Sequence, residues 1–118
     1  LMADPTWVGG ISETRRLAEM AQAYNVPALM HDCTGPLTLF AGIHVATAVP
    51  NVVFQESVRA HIRTFYAELV EPNIAIEQGW AVPPSRPGLG TRLRAELFGP
   101  QHPSYRLSGA VTEGNGSR

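Results

Sequence analysis

The chain has 118 residues, with nine Arg, no Lys, ten acidic residues and a formal net charge of −1. That balance contains no basic tract, so nucleic-acid binding finds little support, and a catalytic Lys base cannot come from this chain. Cys33 is the only cysteine, which excludes a disulfide within the chain and a Cys-based zinc site. No apolar run reaches the ~20 residues that a membrane span requires, no signal-peptide pattern opens the sequence, and a cytoplasmic protein without membrane association is expected.

Leu1-Met2-Ala3 reads as the end of a strand that delivers Asp4. Pro5 forbids regular continuation, and Gly9-Gly10 supplies a turn with unusual backbone freedom before the next helix. A lone Gly pair is a weak phosphate-binding signal, so a plain strand-to-helix turn is expected. Ser12 is the expected N-cap, with Glu13 in the first turn suiting the positive end of the helix dipole. Leu17, Met20, Ala21 and Tyr24 recur at helical spacing and predict the packing face, while Arg15, Arg16, Glu19 and Gln22 take the solvent side.

Asn25 is a suitable helix stop. Residues 26–30 form a short, continuous apolar run of the kind found in parallel strands buried on both faces, and the run ends at His31. Thr34-Gly35-Pro36 makes a second turn with Pro36 at the first helical position. Leu37, Phe40, Ala41 and His44 share a face of the helix that follows, and His44 reads as a core or rim histidine. Pro50 closes that helix, and Val52-Val53-Phe54 forms a strand presenting Gln55 and Glu56.

Residues 59–70 carry Ile62, Phe65, Tyr66 and Leu69 at helical spacing and predict a short helix, with Arg59, His61 and Arg63 on a solvated face. Residues 74–76 and 80–82 flank Glu77-Gln78-Gly79 and predict a hairpin. Residues 83–90 are turn-rich. Residues 99–118 are rich in Gly, Ser, Asn and Pro, and weak order is expected at their end.

Asp4, His31 and Glu56 thus each stand at the polar end of a short apolar run that is followed by turn residues and an apparent helix. Side chains at the carboxyl ends of successive strands in a parallel α/β sheet or barrel have this layout, and such folds place their chemistry there. An Asp and a His from neighbouring strand ends can touch, so that the carboxylate fixes the imidazole tautomer and leaves the other ring nitrogen facing a substrate. Cys33 has no adjacent base besides His31, which argues against a nucleophilic thiol. Adjacent residues on an extended chain point to opposite faces, which argues against a metal cluster of His31, Asp32 and Cys33.

Asp4-Pro5-Thr6-Trp7-Val8-Gly9-Gly10-Ile11, an alanine-rich helix, His31, Asn51-Val52-Val53-Phe54-Gln55-Glu56 and Pro87-Gly88-Leu89-Gly90 follow one another in this order. Together they resemble the carboxy-terminal part of the mandelate racemase/muconate lactonising enzyme family of the enolase superfamily. The His31-Asp32-Cys33-Thr34-Gly35-Pro36 run and the Phe54-Gln55-Glu56 ending are most similar to galactonate-dehydratase-like acid-sugar dehydratases. The separation of 27 residues between Asp4 and His31 (31 − 4) is the family's Asp–His dyad spacing.

The resemblance implies an α/β fold that is the C-terminal part of a (β/α)₈ (TIM-type) barrel. Residues 1–70 would be its last βα units, 71–98 a return segment onto a capping domain missing from this chain, and 99–118 a poorly ordered tail. A whole barrel takes roughly 200 residues or more, so a fragment is expected. The implied catalytic residues are Asp4, His31 and Glu56, with His31 and Glu56 also binding substrate. The implied cofactor is Mg²⁺, held by carboxylates before residue 1, since Asp4, Asp32 and Glu56 do not substitute for them.

The implied parent is an Mg²⁺-dependent carbon–oxygen lyase acting on an acid sugar such as a galactonate-like aldonate. It would abstract the proton α to the carboxylate and eliminate a β-hydroxyl through an enediolate. The implied partner is a small sugar acid, with homo-oligomers as the family's usual assembly, and no activity is expected of the 118 residues alone. A racemase or epimerase using the same dyad, and a non-catalytic barrel remnant, stay open at this point.

Overall fold

The structure, a computed structural model, describes residues 1–101. Its amino-terminal half is an α/β unit in which β1 (Met2–Ala3), β2 (Ala28–Met30) and β3 (Val52–Gln55) form a parallel sheet in the order β1-β2-β3. The helices α1 (Ile11–Ala23) and α2 (Pro36–Ala48) connect them. Ala3 pairs with Met30 and Met30 with Gln55. The ladder runs one residue beyond each strand, because the His31 N–H donates to the Ala3 carbonyl at 2.9 Å and the Glu56 N–H to the Met30 carbonyl at 2.8 Å. Asp4, His31 and Glu56, each the first residue past its strand, therefore stand in a row.

Ala3, Ala18, Ala28, Met30, Val45 and Val49 make the core that holds the helices to this sheet. The buried positions of α1 are Thr14, Ala18 and Ala21, whereas Met20 is 57% and Tyr24 76% exposed. The expected face through Leu17, Met20, Ala21 and Tyr24 is thus rotated. Small side chains let the helix lie close to the sheet, and the large apolar ones are left outside. Ser12 is not the N-cap: it lies within α1, which Gly10 caps without a side-chain hydrogen bond. Gly10 takes a left-handed φ of 101°, and its carbonyl accepts both the N–H and the hydroxyl of Thr14. Asn25 ends the region as expected, with φ 55°.

Helix α2 starts at Pro36 and is buried nearly all round, since it lies between two cores. The second core joins Leu39, Phe40 and Ile43 to Tyr66, Val70 and Ile74. Leu37, placed on one face with Phe40, Ala41 and His44 by periodicity, is exposed while Phe40 and Ala41 are buried. A helix packed on two sides has no single apolar stripe to read. His44 is half-buried, and its Nε2 lies 3.1 Å from the Leu89 carbonyl, the rim position expected for it.

The helix expected over residues 59–70 is two short ones, α3 (Arg59–Arg63) and α4 (Phe65–Leu69), broken at Thr64. Arg59 and Arg63 are exposed, but His61 is not on a solvated face. Its ring packs 4.8 Å from that of Phe65 and 5.7 Å from that of Tyr66, and its Nδ1 is buried without a hydrogen-bond partner. Beyond α4, β4 (Val70–Glu71) pairs antiparallel with β7 (Arg92–Leu93). The expected hairpin is present as β5 (Ile76–Glu77) and β6 (Trp80–Ala81) around Gln78 and Gly79, whose φ values of 51° and 87° match a type I′ turn. A short 3₁₀ helix covers Ala95–Phe98. The weak order expected at the end of residues 99–118 lies outside the described residues.

The buried Gly90 has φ +79°, and a Cβ placed on it would stand 2.3 Å from the Pro84 Cβ. Gly90→Ala is therefore expected to cost about 1–3 kcal/mol of stability. Thermal unfolding of the variant checks this, and an unchanged midpoint would contradict the packing assigned to residues 84–90.

Candidate active site

Asp4 is 3% exposed and fully engaged. Its Oδ1 accepts the Thr6 N–H at 2.7 Å, an Asx-type turn, and its Oδ2 accepts the Thr34 hydroxyl at 3.0 Å. The same Oδ2 lies 2.8 Å from Nδ1 of His31. Burial works to raise the Asp4 carboxyl, but the hydrogen bonds from His31, Thr6 and Thr34 outweigh it and hold the group below the ordinary carboxylate range. An ionised carboxylate only accepts, so Nδ1 carries the proton of a neutral His31 ring and Nε2 keeps its lone pair.

Nε2 faces the open side of the row. It lies 3.7 Å from Oε2 of Glu56 and 3.4 Å from Sγ of the exposed Cys33. The indole of Trp7, itself 68% exposed, stands with its ring 5.0 Å from the imidazole. The side chain of His31 is only 16% exposed and that of Glu56 is 42% exposed. The three residues singled out in the sequence are thus brought together at one edge of the sheet, with the Nε2 lone pair of the imidazole beside the Glu56 carboxylate and in reach of the Cys33 thiol.

Thr6, Thr34, Trp7 and Cys33 also reach the site, and sequence reasoning gave them no part in it. Thr6 had a local signal, since an Asp side chain readily accepts from the backbone N–H two residues on, whatever residue stands there. Trp7 and Cys33 depend on how the turns fold over the strand ends, which no spacing encodes.

Asp32 turns away from its neighbours, as alternation along an extended chain predicts. It is fully buried, and Oδ1 accepts the Tyr66 hydroxyl at 2.8 Å. Burial pushes its carboxyl up; Tyr66, the Val58 N–H and His61 oppose that rise, and Glu56 adds to it. The Tyr66 hydroxyl is raised well above its usual value by burial and by Asp32.

A raised carboxyl is a pH-dependent liability. Unfolded, Asp32 titrates near 3.8, so well below that value both states are protonated and the residue is neutral in its effect. As pH climbs, the unfolded chain releases its proton first and the folded chain loses stability until its own raised value is passed. Asp32→Asn keeps an acceptor for Tyr66 and removes this loss. It is expected to raise the unfolding temperature at about pH 7 and leave it unchanged at about pH 3. Equal effects at both values would contradict the assignment.

The described residues do not by themselves make a magnesium site. Both oxygens of Asp4 are committed to His31, Thr6 and Thr34. Among the described residues, no three His, Cys, Asp or Glu side chains are grouped as ligands. Nor is any described helix long and apolar enough to cross a membrane.

A parallel sheet with its connecting helices, and with an Asp–His pair and a Glu on successive strand ends, defines an α/β domain. Residues 1–97 match the enolase C-terminal domain-like family, and the chain belongs to that family. Among curated relatives, it is 36% identical over 86 residues to a D-xylonate dehydratase of Haloferax volcanii, covering 73% of this chain and 21% of the relative. It is 35% identical over 101 residues to a D-galactonate dehydratase of Cronobacter sakazakii, covering 81% of this chain and 26% of the relative. Among solved structures, an enolase of the mandelate racemase subgroup from Agrobacterium tumefaciens aligns with a TM-score of 0.77 and 40% identity, over 82% of this chain and 26% of that one. The chain therefore spans about a quarter of the length of such proteins.

Proposed function

We propose that this chain is the C-terminal part of a dehydratase of acid sugars, with Asp4, His31 and Glu56 as its contribution to the active site. Residues 1–70 would be the last βα units of a (β/α)₈ barrel and residues 71–98 the segment that returns to a capping domain. The observation that carries the reading is the 2.8 Å Asp4–His31 contact, which turns Nε2 to the carboxyl edge of a parallel sheet, beside Glu56 and Cys33. The relatives named as xylonate and galactonate dehydratases favour elimination over racemisation.

The chemistry follows from the acidity of the substrate. Removing the proton α to a carboxylate sends the C–H electron pair into the carboxylate as an enediolate. That pair then returns to form the C=C bond as the β C–O bond breaks, and the hydroxyl departs as water with one added proton. His31, held by Asp4 in the Nδ1–H tautomer, is the group on this chain that exchanges a proton with the substrate in either step, a role worth about 10²–10⁴ in rate. Glu56 faces the same space and, when protonated, donates to an enediolate oxygen. The exposure of its side chain means that this chain does not supply the enclosure such a role requires. Mg²⁺, the cofactor expected from the family resemblance, would have to be held by residues outside this chain.

The test is a screen of aldonates in D₂O with the complete polypeptide, with and without Mg²⁺, following both α-deuterium incorporation and water loss. Loss of water from an aldonate supports the proposal. Exchange or epimerisation without water loss would move the protein to the racemase reading, and absence of both would leave the remnant reading standing. The isolated 118 residues are expected to be inactive.

A further inference from the structure

Tyr66 and Asp32 form a buried polar pair that the proposed chemistry does not use. Both are 0% exposed, and their bond joins α4 to the turn after β2 across 34 residues of sequence. Burying a carboxyl beside an apolar core is unfavourable, and a pair of apolar residues would fill the space as well. The feature becomes intelligible from its neighbours. Asp32 lies between His31 and Cys33, whose side chains both face the site, so an inward anchor at Asp32 directs the two flanking side chains outward.

The backbone of Asp32 acts on the site as well. Its N–H lies 3.2 Å from Oε2 of Glu56, and among the described residues this is the one hydrogen bond that the Glu56 carboxylate accepts. Oε2 is also the atom nearest Nε2 of His31. Glu56, a part-exposed side chain at the end of a strand, is thus held in the site by a group whose own position is set by a tyrosine in another element.

We propose that Tyr66 is a positioning residue: its hydroxyl pins Asp32, and the Asp32 N–H in turn holds the Glu56 carboxylate beside His31. The chain of contacts is Tyr66 Oη to Asp32 Oδ1, then Asp32 N to Glu56 Oε2. The other groups around Asp32 are His61, on α3, and the Val58 N–H. The buried Oδ2 of Asp32 has no partner, so Tyr66 is the side-chain anchor of this carboxyl. Removing it leaves the Asp32 carboxyl with the Val58 N–H and no side-chain hydrogen bond among the described residues.

This inference rests on the reading of His31 and Glu56 as reacting groups, and its test separates the two. In the complete polypeptide, the Asp32 amide resonance and its hydrogen exchange are recorded for wild type, Tyr66→Phe, Glu56→Gln and the double variant, without substrate. Tyr66→Phe is expected to move the amide in the same direction as Glu56→Gln and to speed its exchange, and the double variant is expected to add nothing. An amide that responds to Glu56→Gln but not to Tyr66→Phe would overturn the proposal, whether or not the protein turns over an aldonate.

The kinetic arm uses the same four proteins. Tyr66→Phe is expected to lower kcat about tenfold with KM little changed, the loss of one hydrogen bond's worth of positioning. In the Glu56→Gln background, the same change is expected to cost under about twofold. Additive losses would overturn the proposal. If Tyr66→Phe fails to fold, Asp32→Ala and Asp32→Asn give the same comparison from the other end. Ala should release Glu56, whereas Asn, which still accepts from Tyr66, should restore it; equal behaviour of the two would refute the mechanism.

Discussion

In the complete polypeptide, the proposed dehydratase chemistry predicts that His31→Asn lowers α-proton exchange and water loss together, by about 10²–10⁴. An asparagine amide fills much of the imidazole's space and still meets Asp4, so the turn after β2 keeps its anchor. What disappears is the lone pair at Nε2, the one neutral nitrogen acceptor in the row. The two other polar groups beside it, the Glu56 carboxylate and the Cys33 thiol, lie at 3.7 and 3.4 Å from that nitrogen and point at it rather than replace it. The measurement is single-turnover exchange in D₂O beside steady-state dehydration. If both rates survive within a few fold, His31 is a structural histidine and the site lies elsewhere.

The second large effect is expected of Asp4→Asn, and here the loss comes from a proton in the wrong place. Asp4 presents acceptors in three directions, to Thr6, Thr34 and Nδ1 of His31. An amide has only one oxygen. With that oxygen held by the Thr6 N–H, the amide nitrogen faces Nδ1 and the Thr34 hydroxyl, and its N–H groups require a lone pair on Nδ1. The imidazole proton then moves to Nε2, which can no longer accept from the substrate. A rate loss of about 10²–10⁴ is expected, with nitrogen NMR of the imidazole reporting the change of tautomer. A variant that keeps the Nδ1–H form and still loses activity would show that the carboxylate's charge, not its geometry, matters.

The row of Asp4, His31 and Glu56 was legible because a parallel strand covered on both faces writes itself as an apolar run, and the first polar residue after it must lie at the sheet's edge. The β5–β6 hairpin was legible for an equally local reason, since Gln78-Gly79 between apolar runs accepts a left-handed turn. Helix α1 was misread because burial there follows closeness of approach, which favours Thr14, Ala18 and Ala21, and not side-chain size. Helix α2 concealed its partners by having two of them. Asp32 and Tyr66 are separated by 34 residues and two helices, and their contact exists only once α4 has docked on α2. His61 was misjudged for the same reason, since a basic residue on a short helix looks solvated until the aromatic rings of Phe65 and Tyr66 are folded around it.

The three-stranded sheet has two flanks, β1 and β3, and neither is paired among the described residues. Leu1 and Met2 lie open on one flank, while on the other Phe54 is 73% exposed beside a cleft of about 610 Å³ that Ile43, Val52, Ile76 and Trp80 also line. Unsatisfied strand edges next to bare apolar surface are templates for intermolecular pairing. Expressed by itself, this polypeptide should therefore be colloidally unstable. It should sediment as amorphous or β-rich particles at micromolar concentration and bind environment-sensitive dyes.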